Sequence, residues 1–217
     1  MAEKRFLEIQ KIRHITPTVF TIRLDRNDIH FQAGQHIGLG LKEYPFMREY
    51  SIYSGETDNY LEVLIKEVKE GTLTPKLKVC SVGEQLTMDG PTGTFIVNPD
   101  SLKRNKFYFI ATGTGISPFH CFIKTYPRIN YQLIHGVKFM QESIDREEYG
   151  PGRYLTCTTE DPEGDFNGRV GQYITANPVN PEGLYYLCGS GKMIYEVNTI
   201  LQSKGIPPNQ IFWEIYF

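Results

Sequence analysis

Between residues 4 and 97, apolar and polar positions alternate in short runs at 6–12, 19–24, 36–41, 50–53, 60–68, 85–88 and 94–97. A period of two places every second side chain on one face, which predicts half-buried strands. Gly34, Gly55, Gly83, Gly90, Pro91 and Gly93 punctuate these runs, at the spacing of a small antiparallel barrel. One helix is expected in this half, over 72–79. After Asn98-Pro99-Asp100 the rhythm changes. Apolar runs at 106–111, 131–135, 154–158, 184–187 and 211–215 read as buried strands, with helices at 117–126, 141–149 and 192–203 between them. Strand and helix in alternation imply a parallel sheet with helical crossovers. The expected fold is therefore two-domain: an antiparallel β-barrel over 1–99 followed by an α/β parallel-sheet domain over 100–217.

Composition agrees with that division, since 217 residues suit two domains of about 100 residues each. The formal net charge of -2 comes from 23 basic and 25 acidic residues with no long run of either sign. That balance argues against a nucleic-acid footprint or a polybasic membrane anchor. Apolar runs are broken every few positions, so no stretch reaches membrane-spanning length. Met1-Ala2-Glu3-Lys4-Arg5 leads directly into an alternating segment instead of a secretory apolar region, and a cytoplasmic location is expected. The cysteines at 80, 121, 157 and 188 form no C-x-x-C pair and no close group, so no metal or iron-sulfur centre is expected on this chain. The 14 Tyr and 13 Phe supply core packing and also suit stacking on planar rings.

Four segments carry candidate chemistry. Phe107-Tyr108-Phe109-Ile110-Ala111-Thr112-Gly113-Thr114-Gly115-Ile116-Ser117-Pro118 reads as strand, glycine-bearing turn and helix start, with Pro118 where the first helical turn tolerates it. Gly-x-Gly alone fits any tight turn. Directly after the first strand of an α/β domain, it points to a nucleotide phosphate held by backbone N–H groups. Cys188 and Gly189, in Tyr186-Leu187-Cys188-Gly189-Ser190-Gly191, fall at the end of another strand, where open α/β sheets bind ligands. In the first half, Met47-Arg48-Glu49-Tyr50-Ser51-Ile52 combines a phosphate fork, a ring to stack and a hydroxyl. An amphipathic barrel strand with an exposed Arg would read the same way. Lys66 precedes Gly71-Thr72-Leu73-Thr74, a second anion cradle or an ordinary helix cap.

Taken in order, Arg48-x-Tyr50-Ser51, Gly71-x-x-Thr74, Gly90-Pro91-x-Gly93, Gly113-Thr114-Gly115-Ile116-Ser117-Pro118, Cys188-Gly189 and the terminal Glu214-x-Tyr216 resemble the ferredoxin-NADP reductase superfamily over nearly the whole chain. The resemblance implies an FAD-binding barrel, a pyridine-nucleotide domain, and hydride transfer between nicotinamide and flavin. It assigns Arg48 to the flavin pyrophosphate, Tyr50 to the isoalloxazine, Ser51 to the neighbourhood of flavin N5, and Gly71, Thr72 and Thr74 to the diphosphate. Gly113, Thr114 and Gly115 would face the NAD(P)H dinucleotide and Cys188 its nicotinamide, with Glu214 a proton donor or transition-state neighbour. The usual terminal Glu-x-Tyr is followed here by Phe217, so Tyr216, favoured by register, and Phe217 compete to cover the flavin. Thr158-Thr159-Glu160-Asp161 stands where NADP-specific members carry Ser-Arg. Two carboxylates repel a 2'-phosphate, yet Arg169 and Lys138 offer it cationic partners, which leaves the choice between NADH and NADPH open.

The expected activity is electron exchange between NAD(P)H and a separate one-electron carrier, ferredoxin or flavodoxin. The alternatives are the reductase component of an oxygenase and a free-flavin or quinone reductase. A non-enzymatic FAD-holding subunit of a larger complex fits less well, because those subunits typically carry a cysteine cluster near the C-terminus.

Overall fold

Leu7 and Ile9 of strand β1 (Arg5–His14) are buried, whereas Phe6, Glu8 and Gln10 between and beside them face outward. β3 (His36–Leu41) also buries Ile37 and Leu39 at alternate positions, and β4 (Arg48–Ser51) and β6 (Gln85–Thr92) are exposed or half-buried over most of their length. β2 (Val19–Asp25) and β5 (Tyr60–Lys66) are buried over most of theirs, with the Thr21 hydroxyl donating to Glu62 between them. These strands form one antiparallel sheet in the order β4-β3-β6-β1-β2-β5. The two ends of that order meet. Ile52, just past β4, bridges Val63 of β5, and the Tyr53 N–H donates to the Glu62 carbonyl at 2.7 Å. Closure removes the free edges and makes the sheet a barrel around Phe20, Ile22, Leu24, Ile37, Leu61, Val63 and Met88. The structure, a computed structural model, describes residues 5–103 and 105–216. Phe217 lies outside the described residues.

Three details of the first half differ from the sequence reading. The helix expected over 72–79 is the shorter α1 (Thr74–Lys78). β6 continues through Gly90-Pro91, the expected turn, whose peptide bond is cis. Residues 94–97 form no strand: Phe95 is buried instead against Phe119 and Phe122 of α2 (Ser117–Thr125), at ring-centroid distances of 6.1 Å. His120 of α2 stacks on Tyr53 at 3.7 Å with the rings 6° apart. Through these contacts Ser117–Tyr126 groups with Met1–Ile96 in one unit, and Val97–Ile116 with Pro127–Phe217 forms the other. The division is thus not a single cut near residue 99.

The second unit is a parallel sheet. Strands β7 (Phe107–Thr112), β8 (Tyr131–Val137), β9 (Tyr154–Thr158), β10 (Phe166–Asn167), β11 (Leu184–Ser190) and β12 (Ile211–Tyr216) lie in the order β10-β9-β8-β7-β11-β12. Central strands such as β7 and β11 are apolar almost continuously because both faces are covered. The helix expected over 141–149 is absent: two short 3₁₀ turns, Met140–Glu142 and Arg146–Glu148, are separated by Asp145 in the left-handed region at φ 47°. A short helix not foreseen, α3 (Val170–Ala176), crosses after β10. α4 (Gly191–Ser203) is capped by Ser190, whose hydroxyl accepts from the Met193 N–H, and buries Met193, Ile194, Val197 and Leu201 on one face. Among the described residues no helix is long and apolar enough to cross a membrane.

The burial pattern of α4 makes a direct prediction. Leu201→Ala should cost about 2–5 kcal/mol, because Leu201 is fully buried, and should lower the thermal midpoint by several degrees. Tyr195→Ala, on the same helix but 77% exposed, should change stability by less than about 0.5 kcal/mol. Comparable losses in the two variants would contradict the assignment of the core-facing side.

Candidate functional site

The glycines of the second unit mark where two strand ends touch. A Cβ added at Gly115 would lie 2.3 Å from the Cys188 carbonyl oxygen, and one at Gly189 would lie 2.4 Å from Thr112 Oγ1. No other residue permits that approach of β7 and β11. The Ser190 N–H donates to Thr112 Oγ1 at 3.2 Å and laces the same ends together. Gly113 is different: it adopts φ +53° with open space where a side chain would stand. Gly113–Ile116 form a 3₁₀ turn between β7 and α2. At Gly113 the turn therefore presents backbone alone at the carboxyl ends of parallel strands, the edge at which such sheets bind ligands. Ser117 and Pro118 follow as buried residues of α2.

Cys188, Glu214 and Tyr216 come together as well. In the β11–β12 register Cys188 pairs with Glu214 and Ser190 with Tyr216. Burial drives the Cys188 thiol well above its usual range, the Glu214 charge adds to this, and a hydrogen bond from Tyr216 partly opposes it. Cys188 therefore remains a neutral thiol, with no thiolate nucleophile at neutral pH.

In the first unit, Arg48 on β4 is exposed, with Nη1 donating to the Met47 carbonyl at 3.3 Å. Ser51 and Ile52 are buried. The Tyr50 hydroxyl is buried with no hydrogen-bond partner among the described residues. Burial raises its pKa to about 12, with Arg48 pulling the other way. A buried unpartnered hydroxyl is costly, and a ligand seated on Tyr50 would supply the missing partner.

The remaining candidates hold their own loops. The Thr74 hydroxyl accepts from the Val68 N–H at 2.8 Å, and the Gly71 N–H donates to the Val68 carbonyl at 2.7 Å. Leu73 is buried, while Lys66 and Thr72 are exposed. With five residues, α1 is too short to carry the helix-terminus field that the sequence reading invoked. Arg169 is exposed ahead of α3, where its N–H donates to Gln172 Oε1 at 2.7 Å. Lys138 is paired with Glu160 at 2.9 Å. The Asp161 carboxyl is held below its usual range by the Glu163 and Met140 N–H groups.

One cluster was not foreseen. His135 of β8 is fully buried, its Nε2 2.8 Å from the Gly113 carbonyl oxygen and its Nδ1 2.5 Å from the Tyr154 hydroxyl. Arg146 donates to both carboxylate oxygens of Asp165, at 2.8 and 3.0 Å, and to Thr156 Oγ1 at 3.2 Å. Burial pushes the Asp165 carboxyl up, but its bonds from Arg146 and the Thr156 N–H outweigh this and hold it below the usual range. The available signal was a lone histidine inside the apolar strand Tyr131–Val137.

Known proteins resemble this chain over both units. Residues 7–96 match the family model described as oxidoreductase FAD-binding domain. A ferredoxin-NADP reductase of Pseudomonas aeruginosa is 30% identical, over 91% of this chain and 89% of that protein. A ferredoxin NADP+ reductase from Neisseria gonorrhoeae, solved with bound FAD and NADP, superposes with a TM-score of 0.89 at 24% identity, covering 100% of both chains. The ferredoxin reductase of carbazole 1,9a-dioxygenase superposes at 0.85 and 24% identity, covering 99% of this chain and 70% of that one.

His135 generates a prediction for stability. Burial lowers its pKa from 6.5 to about 4, with the Gly113 bond opposing. Between those values the unfolded chain binds a proton that the folded chain does not, so this contribution is complete above about pH 6.5 and is lost as the pH falls towards 4. The loss amounts to about 3 kcal/mol. Thermal midpoints measured from pH 7 to pH 4.5 should fall more steeply in the wild type than in His135→Gln. Parallel curves would remove His135 from the account.

Proposed function

The chain belongs to the ferredoxin-NADP reductase family, and from that premise we propose that it passes electrons from a nicotinamide nucleotide to a separate one-electron carrier, a ferredoxin or flavodoxin. It is an FAD-dependent oxidoreductase of the NAD(P)H class. When bound, FAD supplies the exchange between two-electron and one-electron chemistry, and the protein supplies orientation and charge. The observation that carries the flavin assignment is the unpartnered Tyr50 hydroxyl on the strand that exposes Arg48. Arg48 offers a fork for the pyrophosphate, Tyr50 a ring and a hydroxyl, and Ser51 a hydrogen bond to the flavin ring. The segment with Lys66, Gly71, Thr72, Leu73 and Thr74 is the diphosphate side in this reading, through the exposed Lys66 and Thr72, while Thr74 shapes the loop by its bond to Val68 and Ile52 lies beside Ser51.

On the nucleotide side, Gly113, Thr114 and Gly115 offer a backbone surface followed by Ser117 and Pro118. Cys188 and Gly189 stand at the end of β11, with Glu214 opposite Cys188 in register and Tyr216 within hydrogen-bond reach of its thiol. The carrier assignment draws on the Pseudomonas aeruginosa relative, which is named for ferredoxin. The reductase of an oxygenase is the second reading, favoured by the likeness to the carbazole dioxygenase reductase.

Charge at the end of β9 bears on the nucleotide. Lys138 and Glu160 cancel one another at 2.9 Å, which leaves Asp161 and the exposed Glu163 as net negative charge in that loop, and a 2'-phosphate adds to it unfavourably. Stopped-flow mixing should therefore show bound flavin reduced about tenfold faster by NADH than by NADPH at equal low concentration, a difference of about 1.4 kcal/mol. Equal rates would refute the role given to these carboxylates, and colourless protein that binds no flavin would refute the whole reading. Cys188→Ser should slow flavin reduction by about tenfold with the flavin retained. Unchanged kinetics would make Cys188 a packing residue.

A further inference from the structure

His135 does more than fill the core. The Gly113 carbonyl can only accept, so Nε2 of the neutral ring carries the proton and donates to it at 2.8 Å. Nδ1 is then an acceptor, and the Tyr154 hydroxyl 2.5 Å away donates to it. Tyr154 is steadied in turn by Arg146, whose guanidinium lies over its ring at 5.5 Å and donates to the Tyr154 carbonyl at 3.4 Å. Ala111, His135 and Thr156 stand side by side in register across β7, β8 and β9, and the small Ala111 leaves room for the imidazole.

A trans peptide points its C=O and the following N–H in opposite directions. With the Gly113 carbonyl turned onto His135, the Thr114 N–H points away from the ring. Rotation of this plane changes ψ of Gly113 and φ of Thr114, and glycine, at φ +53° with open space where a side chain would stand, accepts a wide range of ψ. Tilting the plane would swing the carbonyl dipole outward, where it repels an anion. We propose that His135, held in one tautomer by Tyr154, is a positioning residue that locks the Gly113–Thr114 peptide with its N–H facing the nucleotide, and so sets affinity for the dinucleotide phosphates. The proposal rests on the assignment of the 113–115 turn to nicotinamide nucleotide.

Calorimetric titration of the FAD-loaded protein with NAD+ and NADP+, which involves no turnover, tests it alongside steady-state kinetics with ferricyanide as acceptor. His135→Phe should raise Kd and KM for the preferred nucleotide by about ten- to a hundredfold, the value of one hydrogen bond to a charged group. Its kcat and flavin content should stay near wild type. His135→Gln, whose amide can donate to the same carbonyl, should recover most of the affinity, and Tyr154→Phe should raise Kd by a smaller factor. Unchanged Kd in His135→Phe and Tyr154→Phe, or a parallel loss of kcat and flavin, would overturn the proposal. Should His135→Phe fail to fold, Tyr154→Phe decides, and an unmoved Kd there overturns it. Wild-type protein that binds neither nucleotide would overturn the functional reading itself, whereas wild-type binding matched by every variant would overturn only the role of His135.

Discussion

Main chain meets main chain where β7 and β11 end, and the second unit is arranged around that contact. Because Gly115 and Gly189 have no Cβ, the ends of two parallel strands close to distances at which any side chain would overlap a carbonyl or hydroxyl oxygen. The approach delivers Cys188 to Glu214 and Tyr216 on one side and frees Gly113 to turn on the other. Hydrophobic burial by α4 holds the sheet in place behind it. The chemistry proposed for this edge depends on atoms of the backbone more than on side-chain identity, and backbone N–H groups can hold a phosphate without a cluster of charged residues.

The parts of the fold that could be read from sequence are those set by local periodicity. Leu7 and Ile9, or Ile37 and Leu39, alternate with outward-facing neighbours, and such strands form as expected. Phe95 and Val97 show the same alternation without a strand, because Phe95 is claimed by the aromatic contacts of Phe119 and Phe122. Tertiary packing prevailed over pattern. The segment 141–149 looked helical from its composition, but Asp145 enters the left-handed region and the Arg146 side chain is drawn towards Asp165. The short α3 carries Gly171 and Thr175, weak helix formers, and gave little periodic signal.

A similar contrast governs the candidate site. Arg48-x-Tyr50-Ser51 and Gly113-Thr114-Gly115 are contiguous, so their chemistry is visible as motifs. His135, Tyr154, Arg146 and Asp165 come from separate segments, and only the in-register neighbours of β7, β8 and β9 show that they meet. A polar residue buried in an apolar strand demands partners, but sequence alone does not say which.

The barrel closes through a narrow seam. One bridge from Ile52 to Val63, the Tyr53 bond to Glu62 and the Glu62 N–H donating to the Ser54 hydroxyl join its first and last strands. Tyr50 and Ser51 lie immediately before that seam on the same strand. On the proposed assignment, a cofactor held by them would clamp the barrel shut, and cofactor loss and strand separation would be thermodynamically linked. Apo protein would then breathe, exchange amides and meet proteases first at residues 50–54, and its shelf life would be set by occupancy rather than by the size of its core.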